Sequence, residues 1–345
     1  MIWRSKAPFR LGLAGGGTDV SPYCDLYGGA ILNVTVSLYA HAHIERQSAP
    51  EVVFYSVDQM KTLKFPVGEA APLEKGLDLQ AGLYNRLLKD GVLDNRGFRL
   101  TTSMDVPAGS GLGTSSTLMV AMLKAFTEMY NIPYGEYDLA HKAYEIERLD
   151  LQLAGGRQDQ YAATFGGVNF MEFYKDDKVI VNPLRIKMEY LNELENNILL
   201  YFTSTNRSSS EIIKKQQLNV SSNNLSSIKA MDQLKEQSRM MKEAILKGQL
   251  NAIGEILDFG FEQKKRMAEN ISNSLIDEIY DAAKKSGATG GKISGAGGGG
   301  FMFFYCPGTS KYQVIEKLKQ FGGEVRNYNF TPLGARSWKI NEIIQ

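Results

Sequence analysis

The sequence predicts a two-lobed α+β fold, on three observations. Its 345 residues amount to about two ordinary domains. Strand-like and helix-like periodicities alternate along the chain. Glycine, 34 of 345 residues and so about 10% against a usual ~7%, concentrates at 12–17, 109–113, 155–167 and 287–300. Such patches mark backbone that bends sharply or approaches something closely. Four of them point to one shared ligand in a cleft between lobes.

Composition narrows the partner. Hydrophobic residues at 43% and charged residues at 22% are ordinary globular usage. A net charge of +1 leaves no broad positive field to hold nucleic acid or an anionic membrane, so any anion is bound locally. Apolar runs such as Ile198 to Phe202 fall far short of the ~18 residues of a membrane span. The first residues lack the long apolar stretch of a secretory signal. Cys24 and Cys306 are far apart and have no C-x-x-C partner, as expected of two reduced thiols. The expectation is a cytoplasmic protein acting on small molecules, with neither nucleic acid nor membrane as partner and with monomer or homodimer left open.

Taken in order, 2–6, 9–13 and 30–46 read as strands, the last by its alternation of polar and β-branched residues after the Gly28-Gly29 turn. A helix follows at about 78–90 and a strand at 97–103. Met119, Leu123, Phe126 and Tyr130 recur at helical spacing, which predicts a helix over 114–130 that stops before Pro133. A further helix covers 136–149 and a strand 167–174. The polar, aperiodic stretch 190–197 reads as the connection between lobes, dividing the chain into 1–194 and 195–345. Beyond it come a strand at 198–204, long helices between 208 and 286, strands at 288–294 and 299–306, a helix at 310–321, and strands near 323–330 and 334–340.

The strongest local signal is Pro107-Ala108-Gly109-Ser110-Gly111-Leu112-Gly113-Thr114-Ser115-Ser116, which leaves a strand and enters a helix. Glycines let N–H groups turn inward, the helix N-terminus adds partial positive charge, and the hydroxyls can reach phosphate oxygens or a magnesium ion. A glycine turn with a Ser/Thr N-cap has the same pattern. No Lys completes a Walker A loop, so the cradle needs another source of positive charge. The half-match to G-x-G-x-x-G lacks the following parallel strand of a dinucleotide-binding unit. On the helix at 136–149, the stripe Ala140, Ala143, Tyr144 continues inward to Glu147. A buried carboxylate there either pairs with a base such as Arg148 or ligates Mg²⁺. Asp159, after Gly155-Gly156-Arg157-Gln158, is either an N-cap or a general base. Consecutive glycines in Lys292-Ile293-Ser294-Gly295-Ala296-Gly297-Gly298-Gly299-Gly300 between two apolar strands imply close backbone approach. The three histidines have no metal-ligand spacing.

In order and spacing, Ala7-Pro8-Phe9-Arg10 with Gly15-Gly16-Gly17-Thr18-Asp19, the 107–116 loop, Gly155 to Gln160 and Lys292 to Gly300 resemble the motifs of the GHMP kinase superfamily. The resemblance spans nearly the whole chain. The segment Leu13 to Pro22 is similar to the heptose kinase and fucokinase branch; galactokinases have Gly-Glu-His-Thr-Asp there. The resemblance implies an N-terminal α/β lobe with a left-handed βαβ crossover, a C-terminal ferredoxin-like lobe and an active site between them. It further implies ATP and Mg²⁺, with transfer to the anomeric hydroxyl of a sugar phosphate, a heptose 7-phosphate on the way to a nucleotide sugar. A fucokinase-like activity or a non-catalytic sensor on the same fold are the alternatives. Carried over residue by residue, Pro107 and Gly109 to Ser116 would bind the ATP phosphates, Ser115 and Glu147 would hold Mg²⁺, and Asp159 with Arg10 would be catalytic. Gly17, Thr18, Asp19, Gly295, Gly297 and Gly298 would face the acceptor. Arg157 and Arg207 are the candidates for the acceptor's own phosphate.

Overall fold

The computed structural model describes residues 1–205 and 209–341. In chain order the first lobe runs β1 (Ile2–Ala14), α1 (Tyr23–Tyr27), β2 (Gly29–Arg46), β3 (Glu51–Ser56), β4 (Lys61–Pro66), α2 (Asp78–Lys89), β5 (Phe98–Met104), α3 (Thr114–Tyr130), α4 (Glu136–Glu145), α5 (Gln158–Phe165), β6 (Val168–Phe173) and β7 (Val179–Pro183). Then follow α6 (Met188–Asn197), β8 (Ile198–Phe202), α7 (Ser209–Ser221), α8 (Leu225–Lys247), α9 (Ile253–Met267), α10 (Ser274–Lys285), β9 (Gly290–Ile293), β10 (Phe301–Tyr305), α11 (Ser310–Leu318), β11 (Glu324–Val325) and β12 (Arg336–Ile340).

The first sheet has the order β12-β1-β2-β5-β3-β4, with β6 and then β7 added alongside the start of β2. β2 is long enough to pair β6 through Gly29–Val34 and β5 through Ala40–Arg46. The expected strands at 2–6 and 9–13 are one strand: Pro8 has no N–H to give, and it sits past the last β12 pair, Lys6 with Arg336, where the register against β2 shifts. The second sheet has the order β11-β8-β10-β9, all antiparallel, with α11 between β10 and β11. This is the ferredoxin-like arrangement.

Helix α3 matches its expected span because its apolar residues lie almost all round it, so it is buried against β1 and β2. Its C-terminus is closed by Asn131 in the left-handed conformation. An aromatic chain, Phe54, Phe65, Tyr84, Phe98 and Phe126, ties β3, β4, α2, β5 and α3 together with ring centroids 5.1–6.1 Å apart. Each such buried ring contributes about 1.5–3 kcal/mol of transfer free energy.

Two expectations are corrected. The polar stretch 190–197 is helical, α6, with Leu194 and Asn197 buried; one buried turn is too little apolar pattern to read as a helix. The strand at 336–340 does not belong with the second sheet. It pairs with β1, so the chain crosses back and the first sheet contains residues from both sides of position 195. Helices α8 and α9 pack on each other, α8 also meeting β1 and β2 and α9 meeting β9, which joins the two sheets around the cleft.

Candidate active site

A cleft of about 380 Å³ opens where the two lobes meet. The four glycine patches converge on it. A side chain at Gly111 would strike the Ser294 carbonyl at 2.8 Å, and one at Gly295 would strike the Gly111 backbone at 2.7 Å, so the second and fourth patches lie back to back. The Phe301 N–H also donates to the Ser110 carbonyl at 2.8 Å, pinning the first-lobe loop to β10. A Cβ on Gly156 would lie 2.0 Å from Asp19 Oδ2, which places the third patch against the first.

Helix α3 enters the cleft by its N-terminus. Its N-cap is Gly113, left-handed at φ 79°, and no side chain caps it. The first-turn N–H groups of Thr114, Ser115 and Ser116 therefore belong to residues that line the cleft, a ready anion site. Thr114 instead accepts from the Gly109 N–H at 3.2 Å and shapes the loop. Glu147 lies in a single π-turn, Ile146–Asp150, that follows α4 and widens the helix beside the cleft. Its carboxylate is fully buried. One oxygen accepts from Ser115 Oγ at 2.7 Å and lies 3.6 Å from Arg148; the other accepts from Gln160 Nε2 at 2.6 Å. Pairing with Arg148 and proximity to Ser115 are thus both present.

Against the same loop, the Arg10 Nε donates to Asp159 Oδ1 at 2.7 Å, and its NH1 donates to the Gly111 carbonyl at 2.8 Å. Asp159 sits in the first turn of α5, where the side chain keeps 23% exposure to the cleft. It does not cap that helix. Asp19 does, taking the N–H groups of Arg157 and Gln158 on one oxygen at 2.9 and 3.0 Å. Burial nevertheless raises the Asp19 pKa above the ordinary carboxylate value, against the lowering effect of those donors.

Several expected site residues stand behind the cleft wall. Thr18 turns its hydroxyl to the Gly15 carbonyl at 2.8 Å and serves the loop. Ser110 and Leu112, within the 107–116 loop, are buried, and Pro107 is outside the lining. Gly297 and Gly298 pack on the Ile271 backbone, the Gly298 N–H donating to its carbonyl at 2.8 Å, so that of this patch Gly295 and Ala296 reach the cleft. Arg157 is the main correction. Its guanidinium points away, paired with Asp177 at 2.7 Å and Asp25 at 3.1 Å and lying over the Tyr144 ring, because those groups satisfy it where the cleft would not. It carries no charge into the site. Arg207 lies outside the described residues.

Two cations escaped the sequence reading. Lys264 on α9 and Lys292 on β9 both line the cleft. Lys264 was findable, since Ile253, Leu257, Gly260 and Lys264 and Met267 form one buried helical stripe, the pattern that placed Glu147 inward.

Fold and cleft together define a two-lobed small-molecule kinase. Residues 79–167 match the GHMP kinases N terminal domain and residues 241–324 the GHMP kinases C terminal domain, and the chain belongs to the GHMP kinase family. It is 44% identical to D-glycero-alpha-D-manno-heptose 7-phosphate kinase of Campylobacter jejuni, over 98% of this chain and 99% of that one. Among solved structures it resembles a D-glycero-D-manno-heptose 1-phosphate kinase of Bacteroides thetaiotaomicron, with TM-score 0.84, 41% identity and coverage of 99% and 100%. It also resembles a sugar kinase of Campylobacter jejuni, with TM-score 0.81, 44% identity and 98% coverage of each. No helix among the described residues is long and apolar enough to cross a membrane.

Proposed function

We propose that this chain transfers the γ-phosphoryl group of ATP to the C1 hydroxyl of a heptose 7-phosphate, giving the 1,7-bisphosphate. The observation that carries the reading is that two constellations, Ser115–Glu147 and Arg10–Asp159, come together in one cleft beside the uncapped N-terminus of α3, where Asp159 lies against Gly113. Full-length likeness to a heptose 7-phosphate kinase supports the acceptor.

The amides of α3 and its loop would cradle the nucleotide phosphates. Asp159, oriented by Arg10, accepts the proton as the C1 oxygen bonds to phosphorus, and the bond from phosphorus to the ADP oxygen breaks. Gly295 and Asp19 approach the acceptor's side. Ser115 Oγ and a Glu147 oxygen are hard donors 2.7 Å apart, and the described residues hold no cluster of three or more metal-ligating side chains. Such a pair suits Mg²⁺, which takes few protein ligands and completes its shell with water and substrate phosphates. When bound, the ion supplies charge neutralisation at the phosphates.

The test is a coupled ADP-release assay over sugars and sugar phosphates. Turnover highest with heptose 7-phosphate is the expected result. Preference for fucose would move the acceptor to the other branch, and nucleotide binding without turnover on any acceptor would make the chain a sensor.

A further inference from the structure

We infer that Lys264 and Lys292 together form a phosphate-binding subsite delivered into the cleft by the second lobe. This rests on the kinase reading and supplies the positive charge that the Lys-free loop at 107–116 lacks. Both side chains are buried, at 3% and 5% exposure, and both line the cleft. Among the described residues neither is paired with a carboxylate. Lys264 Nζ donates to the Gly295 carbonyl, and Lys292 Nζ donates to the Gly12 carbonyl at 2.9 Å, next to Gly16. An ammonium has three N–H donors, so each keeps two to give.

The other charges of the cleft are accounted for. Arg10 is paired with Asp159 and Arg148 with Glu147, while Asp19 is held by N–H donors. Two buried ammonium groups close to each other and to Arg10, with Asp19 as the one carboxylate acting on Lys264 among the described residues, are costly in the free protein. Burial first and then Arg10 push Lys264 down to about 8 against the raising effect of Asp19, and burial, Lys264 and Arg10 push Lys292 well below the ordinary lysine range. A doubly charged phosphate entering beside Gly16 and Gly295 would relieve that cost. Two sources present this chemistry, the γ-phosphoryl of ATP and the phosphate already on the acceptor.

The experiment titrates the wild type and the Lys264→Met, Lys292→Met and double variants with four ligands: a non-hydrolysable ATP analogue, ADP, heptose 7-phosphate and heptose. Phosphate recognition is read as the ratio of affinities within each pair. Loss of roughly ten- to a hundredfold in one ratio, the worth of a hydrogen bond to a charged group, is expected. Loss in the nucleotide pair assigns the subsite to the γ-phosphoryl, and loss in the sugar pair assigns it to the acceptor. Ratios that stay at wild-type values overturn the subsite, as does a wild-type protein that prefers neither phosphorylated ligand. A structural role would lower the thermal midpoint of the ligand-free variants, whereas a ligand-binding role leaves it unchanged or raises it, since Met fills the space without the unpaired charge. Should a variant fail to fold, Lys264→Arg and Lys292→Arg keep the charge and are expected to retain the ratios; their loss of the ratios while folded would overturn it. Preserved ratios in the wild type without any turnover would remove the kinase reading and leave the subsite standing.

Discussion

Arg10 joins the groups proposed above to be catalytic, and replacing it tests whether they act as a unit. Its guanidinium is buried and binds Asp159 at 2.7 Å, the Gly111 carbonyl at 2.8 Å and, more weakly, Ser294 Oγ at 3.5 Å, so one cation spans the proposed base, the 107–116 loop and the second lobe. At an effective dielectric near 20, unit charges about 4 Å apart attract by about 4 kcal/mol. The 23% exposure of Asp159 and the desolvation of both groups reduce that figure toward the 1.5–3 kcal/mol of a hydrogen bond between charged groups. The perturbation is a double-mutant cycle of Arg10→Met and Asp159→Asn, followed by urea unfolding and by steady-state kinetics. A coupling of about 2 kcal/mol in stability is expected. Each single change should lower kcat by about 10²-fold or more, and the double variant should fall little below the worse single one. Multiplicative losses in kcat, or coupling below about 0.5 kcal/mol, would refute the shared role.

Gly156→Ala drives a Cβ into the Asp19 carboxylate, now 2.0 Å from that position, and should cut kcat/KM for the acceptor by about 10²-fold while the affinity for ATP, measured by titration, is kept. Arg157→Ala breaks its pairs with Asp25 and Asp177, whose partial exposure limits the cost to about 2 kcal/mol by urea unfolding. Its effect on KM should be equal for heptose 7-phosphate and heptose; a selective effect on the phosphorylated sugar would restore a phosphate role. Lys264, facing Arg10 from β1, Asp19 from the loop after it and Lys292 from β9, is lowered from 10.5 to about 8 by burial and by Arg10, with Asp19 opposing. Between those values the unfolded chain holds a proton that the folded chain lacks, so the ligand-free protein should gain stability as pH rises through that window. The gain should vanish in the Lys264→Met, Lys292→Met double variant, and a wild-type curve parallel to that of the variant would contradict it.

Much of this site was legible because its signals are local. Helix 114–130 announced itself by period and by the stop before Pro133, and Glu147 by a stripe carried one turn further than its apolar members. Glycine patches showed where backbone must come close, though not what it meets: only the fold reveals that Gly111 meets Gly295 and that Gly156 meets Asp19. Long-range pairing hid the rest. Nothing in Arg336–Ile340 says that it will pair with β1, and the charged alternation of 61–66 on an edge strand beside β3 has little apolar pattern to read. Arg157 looked like an anion receptor because sequence cannot show that Asp25 and Asp177 already hold it. Lys264 is followed by Lys265 and Arg266, and it alone of the three is buried, which the basic run by itself does not show.

The most direct measurement follows the phosphorus. Incubation with ATP labelled at the γ-position, heptose 7-phosphate and magnesium should place the label on C1 of the sugar, read as phosphorus coupling to the anomeric proton by NMR, with one ADP formed per label transferred. Label recovered as inorganic phosphate, at another sugar carbon, or unspent in ATP while the folded protein binds both ligands would contradict the account.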